Sequence, residues 1–180
     1  GVDGLMCIGK FSKKKVNELI RITPNIIFLD MPVDEYAVTT FSLDFKKAVY
    51  DIMDYLMGLG HRKIAFLGGE EYVEHNEVFC DERRKYFEEY ATKNGLDASS
   101  YLKIGEYSIE SGYRMMREML TEGKNPTAVF AASDPIAIGA MKAIRERGLR
   151  IPQDISMIGF DDVDLCGFIK PTLTTMHAPA

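Results

Sequence analysis

The sequence predicts an α/β fold of doubly wound parallel sheets, on three observations. Apolar runs of strand length alternate with amphipathic stretches of helix length from one end of the chain to the other, as in strands joined by right-handed helical crossovers. Residues 127–175 show the repeat most plainly: an apolar run too short for a helix, then Ser133-Asp134-Pro135, a helix stopped by Gly148, and a second apolar run, 155–160, ending at Asp161-Asp162. Residues 42–176 hold five strands with four or five intervening helices, enough for a self-sufficient subdomain, whereas 1–41 is too little to close a second one.

The elements follow in order. Residues 2–8 read as a strand. Ser12 is placed to cap a helix carrying Val16, Leu19 and Ile20 on one face, and Pro24 closes it. Residues 25–29 make a second strand with Asp30 at its carboxyl end, and 39–43 suit a further short one. Ala48, Ile52, Tyr55, Leu56 and Leu59 recur at helical spacing up to Gly60, where left-handed backbone ends the run. Residues 63–67 are a strand followed by Gly68-Gly69, and the polar stretch 70–76 reads as a loop. Arg83, Phe87, Tyr90 and Ala91 lie along the next helix, stopped by Asn94-Gly95. After a short strand at 101–104, Ser108 caps a helix through Tyr113, Met116 and Leu120. In the 127–175 unit, Asp134 is read as N-cap and Pro135 as the first helical residue, where its missing N–H is no loss. Ser133-Asp134 and Asp161-Asp162 then fall at the carboxyl ends of parallel strands, the edge at which open α/β sheets bind ligands.

Composition narrows the function classes. With 22 Lys and Arg against 27 Asp and Glu in 180 residues, the net charge of −5 gives no support for wide contact with nucleic acid. Lys13-Lys14-Lys15 is locally basic and reads as a solvated helix face. No long uncharged apolar run suits a membrane span. The three cysteines, Cys7, Cys80 and Cys166, are scattered and form no CxxC pair, which fits a reduced, cytoplasmic setting better than a disulfide scaffold.

Enzyme signatures are weak. Gly68-Gly69 follows a strand, but neither GxGxxG nor GxxxxGK[ST] is present, and Glu70-Glu71 puts carboxylates where phosphates would sit. His61, His75 and His177 have no Cys or carboxylate at metal-ligand spacing, so neither a metal nor a cofactor is expected. Glu110-Ser111-Gly112-Tyr113 reads as a first helical turn rather than a nucleophile elbow. Asp161 and Asp162 are a poor catalytic dyad, because adjacent residues leaving a strand point apart.

Five motifs run in order at consistent spacing: Phe130-Ala131-Ala132-Ser133-Asp134, Ala137-Ile138-Gly139-Ala140, Gly148-Leu149-Arg150-Ile151-Pro152, Ile158-Gly159-Phe160-Asp161-Asp162 and Pro171-Thr172-Leu173-Thr174-Thr175. Together they resemble the effector-binding core of the lactose/galactose-repressor family of bacterial transcription regulators. The resemblance implies a periplasmic-binding-protein-like type I fold, with residues 1–41 belonging to the amino-terminal subdomain, 42–176 forming the carboxyl-terminal one, and 177–180 beginning a return crossover. On that reading the chain is a fragment lacking the DNA-binding headpiece. It would bind a small sugar-like effector between subdomains, couple closure to operator DNA, and form a homodimer.

The same resemblance names site residues. Asp161 matches an aspartate that accepts hydrogen bonds from effector hydroxyls; from the sequence alone it is equally a turn acid satisfied by local N–H groups. Arg83 matches an effector-gripping arginine, though Tyr86 stands where the family has Gly and Arg84 offers a competing register. A guanidinium with five fixed donors suits adjacent hydroxyls, a carboxylate or a phosphate. Ser133 stands where the family often has Asn or Asp. Tyr107 aligns with an aromatic that stacks on sugar, core packing being the rival role, and Asp30 with an aspartate from the other subdomain. Phe41 and Phe160 read as core or hinge, and His75-Asn76 lies in a loop that is placed to reach the ligand. For the dimer, the resemblance points to Ile138, Met141, Lys142, Arg145, Leu165, Phe168 and Ile169. A periplasmic sugar-binding protein serving a transporter shares this fold and is the alternative reading.

Overall fold

A computed structural model of the chain describes residues 1–31, 33, 35–73 and 78–178. The chain forms two compact units, Gly1–Asp44 with Glu71–Phe79, and Phe45–Glu70 with Cys80–Ala180.

The first unit opens with strand β1 (Leu5–Ile8), helix α1 (Lys13–Ile20), β2 (Ile26–Leu29) and β3 (Thr39–Phe41), and the three strands pair in parallel in that order. Ser12 caps α1 as the sequence predicts, its side chain accepting from the Lys15 N–H at 3.2 Å, and Lys13, Lys14 and Lys15 lie on the helix's exposed face. Val16, Cys7, Ile26 and Phe28 make the small core. Phe41, expected as core or hinge, is 60% exposed at the end of β3, so it is not a core residue of this unit.

The second unit begins with α2 (Phe45–Gly58), whose Phe45, Val49, Ile52, Met53 and Leu56 recur at helical spacing and are all buried. Next comes β4 (Ile64–Gly69). The stretch expected as a plain loop, which belongs to the first unit, contains β5 (Glu71–Tyr72), paired antiparallel with β6 (Val78–Phe79). The polar composition hid this ladder, which two backbone pairings suffice to make. His75 and Asn76 lie outside the described residues. Then follow α3 (Glu82–Lys93), β7 (Leu102–Gly105), α4 (Ile109–Thr121), β8 (Ala128–Ala131), α5 (Asp134–Glu146), β9 (Ser156–Asp161) and β10 (Thr174–His177). The sheet runs β10-β9-β8-β4-β7, all parallel.

Both faces of this sheet are covered, so its strands are apolar throughout rather than alternating. Ala65, Leu67, Val129, Ala131 and Met157 pack with α4 and α5 residues. Phe66, Phe130 and Phe160 point the other way: Phe66 stacks on Phe87 of α3 at 5.1 Å and Phe160 on Phe45 of α2 at 6.0 Å. Each such aromatic pair adds about 0.5–1.5 kcal/mol beyond its buried area. Helices α4 and α5 cross backbone to backbone. A Cβ on Gly112 would lie 2.1 Å from the Ile136 carbonyl oxygen, and one on Gly139 1.9 Å from that of Ile109.

Two expectations are corrected here. Ser133, not Asp134, is the N-cap residue of α5, and Asp134 is the first helical residue. Both are favourable cap types, and the choice is made by tertiary partners that claim the Asp134 carboxylate. Met141, expected at a dimer contact, is 1% exposed within this chain's own core. No helix among the described residues is long and apolar enough to cross a membrane.

Candidate functional site

The chain leaves β4 for β7 on one side, then returns across β4 to β8 on the other. Such a reversal opens a crevice outside the carboxyl ends of the strands. Residues following β4, β7, β8 and β9 meet at this edge.

Arg83 is their centre. Asp81 is the N-cap of α3, its carboxylate accepting from the Arg83 backbone N–H at 2.9 Å. That same carboxylate accepts from Arg83 Nε at 2.9 and 3.2 Å, so helix start and ion pair are one device. The Arg83 terminal nitrogens donate to the Ala132 carbonyl at 2.7 Å and to Tyr107 Oη at 2.9 Å, and Tyr107 Oη donates onward to Asp81. The guanidinium carbon lies 5.2–5.6 Å from the ring centroids of Tyr107, Phe160 and Phe45. The Arg83 and Asp81 side chains are 11% and 6% exposed. Burial alone would lower the arginine's pKa; the charge of Asp81, then Tyr107 and Asp161, outweighs it and holds the guanidinium above its ordinary value. Gly69 makes room for the Tyr107 ring, since a Cβ there would lie 2.4 Å from Tyr107 Cδ2. Arg84, the competing register, faces away and pairs with Glu88 at 3.4 Å.

Ser133 follows the carbonyl that Arg83 holds. It is 5% exposed, and its Oγ is buried without a hydrogen-bond partner among the described residues, although it sits at the cap position of α5. Asp161 ends β9 one residue beyond Phe160 and is exposed. Its φ of 107° lies outside the left-handed well that aspartate tolerates, a conformation costing of order 1–3 kcal/mol. Asp162 (φ 62°) pairs with His177 Nδ1 at 3.1 Å and donates its N–H to Thr175 Oγ1, as a turn acid.

Asp134 serves the edge from beneath. Fully buried, it accepts from the Val163 N–H at 2.9 Å and Thr175 Oγ1 at 2.6 Å, and the Cys166 thiol bonds to it as well. Burial first, and that bond second, push the Cys166 pKa up to about 12. Gly159 is the residue that lets it in: a Cβ there would lie 2.2 Å from Asp134 Oδ1. The carboxylate thus fixes the backbone that follows Asp161.

In the first unit, Asp30 ends β2 at φ 62° and pairs with Lys10 at 3.1 Å. The structure therefore brings Arg83, Tyr107 and the Ala132-Ser133 backbone into direct contact, with Asp161 electrostatically coupled to them, and places Asp30 in a separate ion pair. Asp81, Phe45 and Lys10 were not singled out from the sequence. An acidic cap residue two positions before Arg83 was a signal available for Asp81; Phe45 and Lys10 carry no local signal. Among the described residues no group of three or more His, Cys, Asp or Glu side chains is arranged to hold a metal.

The family model of the periplasmic binding protein-like domain matches residues 53–180. The helix-turn-helix-type transcriptional regulator GalR of Streptococcus thermophilus is 31% identical over 97% of this chain, which spans 54% of that protein. Among solved structures, a sugar-binding LacI-family regulator from Escherichia coli, complexed with phosphate, is 27% identical with a TM-score of 0.86, over 98% of this chain and 63% of that one. The lac repressor dimer bound to operator and an anti-inducer is 30% identical with the same TM-score, over 98% and 60%. The chain spans about half the length of the curated relatives it matches. It belongs to the periplasmic binding protein-like family, in the form carried by lactose/galactose-repressor-type regulators.

Proposed function

We propose that this chain is the effector-sensing part of a cytoplasmic transcription regulator, which binds a small sugar-like molecule and passes the change to operator DNA through a headpiece elsewhere in the protein. The observation that carries the site is Arg83, buried and held by three acceptors at the switch-point edge, beside a Ser133 hydroxyl with no partner of its own. A buried unsatisfied hydroxyl costs free energy unless a ligand completes it. Arg83, Tyr107, Ser133 and Asp161 are the effector contacts within the second unit. The strained backbone of Asp161 fits a functional constraint at this edge. The relatives' descriptions as transcription regulators, and the lac repressor's operator and anti-inducer, support the sensing role. The intact protein acts as a homodimer, and the effector works by binding one of two conformations more tightly than the other. No bond is made or broken.

The test is a thermal screen of sugars against the intact protein. At about 100 times its Kd an effector stabilises the folded state by about 2.7 kcal/mol, and each kcal/mol moves the melting point of a domain of this size by roughly 2–4 °C. Asp161→Ala is expected to abolish that shift and leave the unliganded melting point within about 2 °C. Retained binding with a lowered unliganded melting point would place the site elsewhere.

A further inference from the structure

We infer that Asp81 is a specificity residue that makes the effector an uncharged polyhydroxyl compound and excludes its phosphorylated and carboxylated relatives; this rests on the site proposed above. An arginine at a ligand edge usually signals an anion, because its fork matches a phosphate or carboxylate. Here the fork already holds one. Asp81 occupies Nε at 2.9 and 3.2 Å, with both side chains almost wholly buried. Tyr107 Oη and the Ala132 carbonyl take one hydrogen from each terminal nitrogen. Three of the five N–H donors are therefore engaged among the described residues, and the charge is neutralised in place.

The remaining charges at this edge point the same way. Asp162 pairs with His177, and Asp161 adds a further carboxylate, close enough to help raise the arginine's pKa. Three carboxylates, Asp81, Asp161 and Asp162, thus stand at the edge that Arg83 occupies, a balance that repels an incoming anion. A phosphate dianion at the two remaining Arg83 donors would meet a guanidinium whose charge Asp81 already balances, with Asp161 near enough to repel it. Hydroxyl groups suit this edge: two N–H donors of Arg83 and the Ser133 hydroxyl lie beside the Asp161 carboxylate, a mixed set that matches groups able both to donate and to accept.

The intact protein is screened by thermal shift, with isothermal titration of any hit, against glucose, galactose, ribose and sucrose, the phosphate esters of the three monosaccharides, and glucuronate. In parallel, inorganic phosphate is titrated into wild type and Asp81→Asn. A neutral sugar binding at least about tenfold tighter than its own phosphate or acid, together with phosphate stabilising Asp81→Asn but not wild type, is the expected result. A phosphate ester or glucuronate binding wild type more tightly than its neutral parent would overturn the role of Asp81 and leave the sugar-sensing site standing. So would an equal phosphate response of the two proteins. No binding by any compound, charged or neutral, to either protein would remove the sugar-sensing reading itself, and this inference with it. If Asp81→Asn does not fold, Asp81→Ser keeps a capping oxygen without the charge and takes its place in the phosphate arm.

Discussion

Asp134 has no exposed surface, and its carboxylate accepts from Val163, Thr175 and the Cys166 thiol across 29 to 41 residues of chain. Buried hydrogen bonds to a charged group contribute about 1.5–3 kcal/mol apiece, with losses that do not simply add. Asp134→Ala should therefore lower unfolding free energy in urea by about 3 kcal/mol or more, well beyond the ~1 kcal/mol of a lost helix cap. A loss near that smaller figure would mean the carboxylate is only a cap. The same network sets the thiol chemistry. With its pKa near 12, Cys166 is about one part in ten thousand thiolate at pH 8. Cys7 is also buried, and Cys80 is exposed. Iodoacetamide at pH 8 should label Cys80 in the native chain and reach the other two only after unfolding, as mass spectrometry of the digested protein will show.

At the scale of elements, two helical glycines, one in a helix interior and one at a helix end, should respond with opposite sign. Gly139 lies where α5 meets the α4 backbone, and a methyl there would sit 1.9 Å from the Ile109 carbonyl oxygen. Ala normally gains up to ~1 kcal/mol over Gly inside a helix, but forcing the two helices apart costs about 1–3 kcal/mol. Gly139→Ala should be net destabilising in urea. Gly58, in α2, has open space around its missing Cβ, and Gly58→Ala should be neutral or stabilising by up to ~1 kcal/mol. Helices α2 and α3 are clasped by Tyr90 Oη donating to Asp54 at 2.5 Å. Burial, then that bond, raise the phenol's pKa to about 12. A folded pKa above the unfolded one means the phenol's contribution is intact below pH ~10 and is lost as pH rises through 12. Tyr90→Phe should accordingly flatten the alkaline fall in stability, measured by urea midpoints between pH 9 and 11.

Across the whole molecule, what the sequence made legible is what local periodicity encodes: the helices, most of the parallel strands, the Ser12 and Ser108 caps and the terminating glycines stand where the pattern puts them, and the short β5-β6 ladder, which has no such period, does not. The web around Arg83 was less legible because its partners are 24 and 49 residues away in Tyr107 and Ala132, and no window of sequence contains them together. Ser133 and Asp134 show the same limit at closer range, where propensity allows either as cap and only contacts with Val163 and Thr175 decide. The residues proposed for a dimer contact divide likewise. Met141 faces inward, whereas Phe168 is 84% exposed and Leu165 46%. Their segment is not slack: Cys166 is buried within it, and Arg145 holds it to α5 by donating to the Lys170 carbonyl at 2.7 Å. A fixed segment presenting a bare aromatic ring is what an interface anchor requires, since little conformational entropy remains to be lost on association. Truncating such an anchor typically costs 2 kcal/mol or more, about 30-fold in affinity, and a carboxylate in its place adds desolvation. Phe168→Asp in the intact protein should raise the dimer dissociation constant by at least that factor in sedimentation velocity. It should leave the monomer's stability within about 0.5 kcal/mol, because the ring touches solvent and not the core. An unchanged sedimentation coefficient across the concentration range would move the interface to another face of the chain.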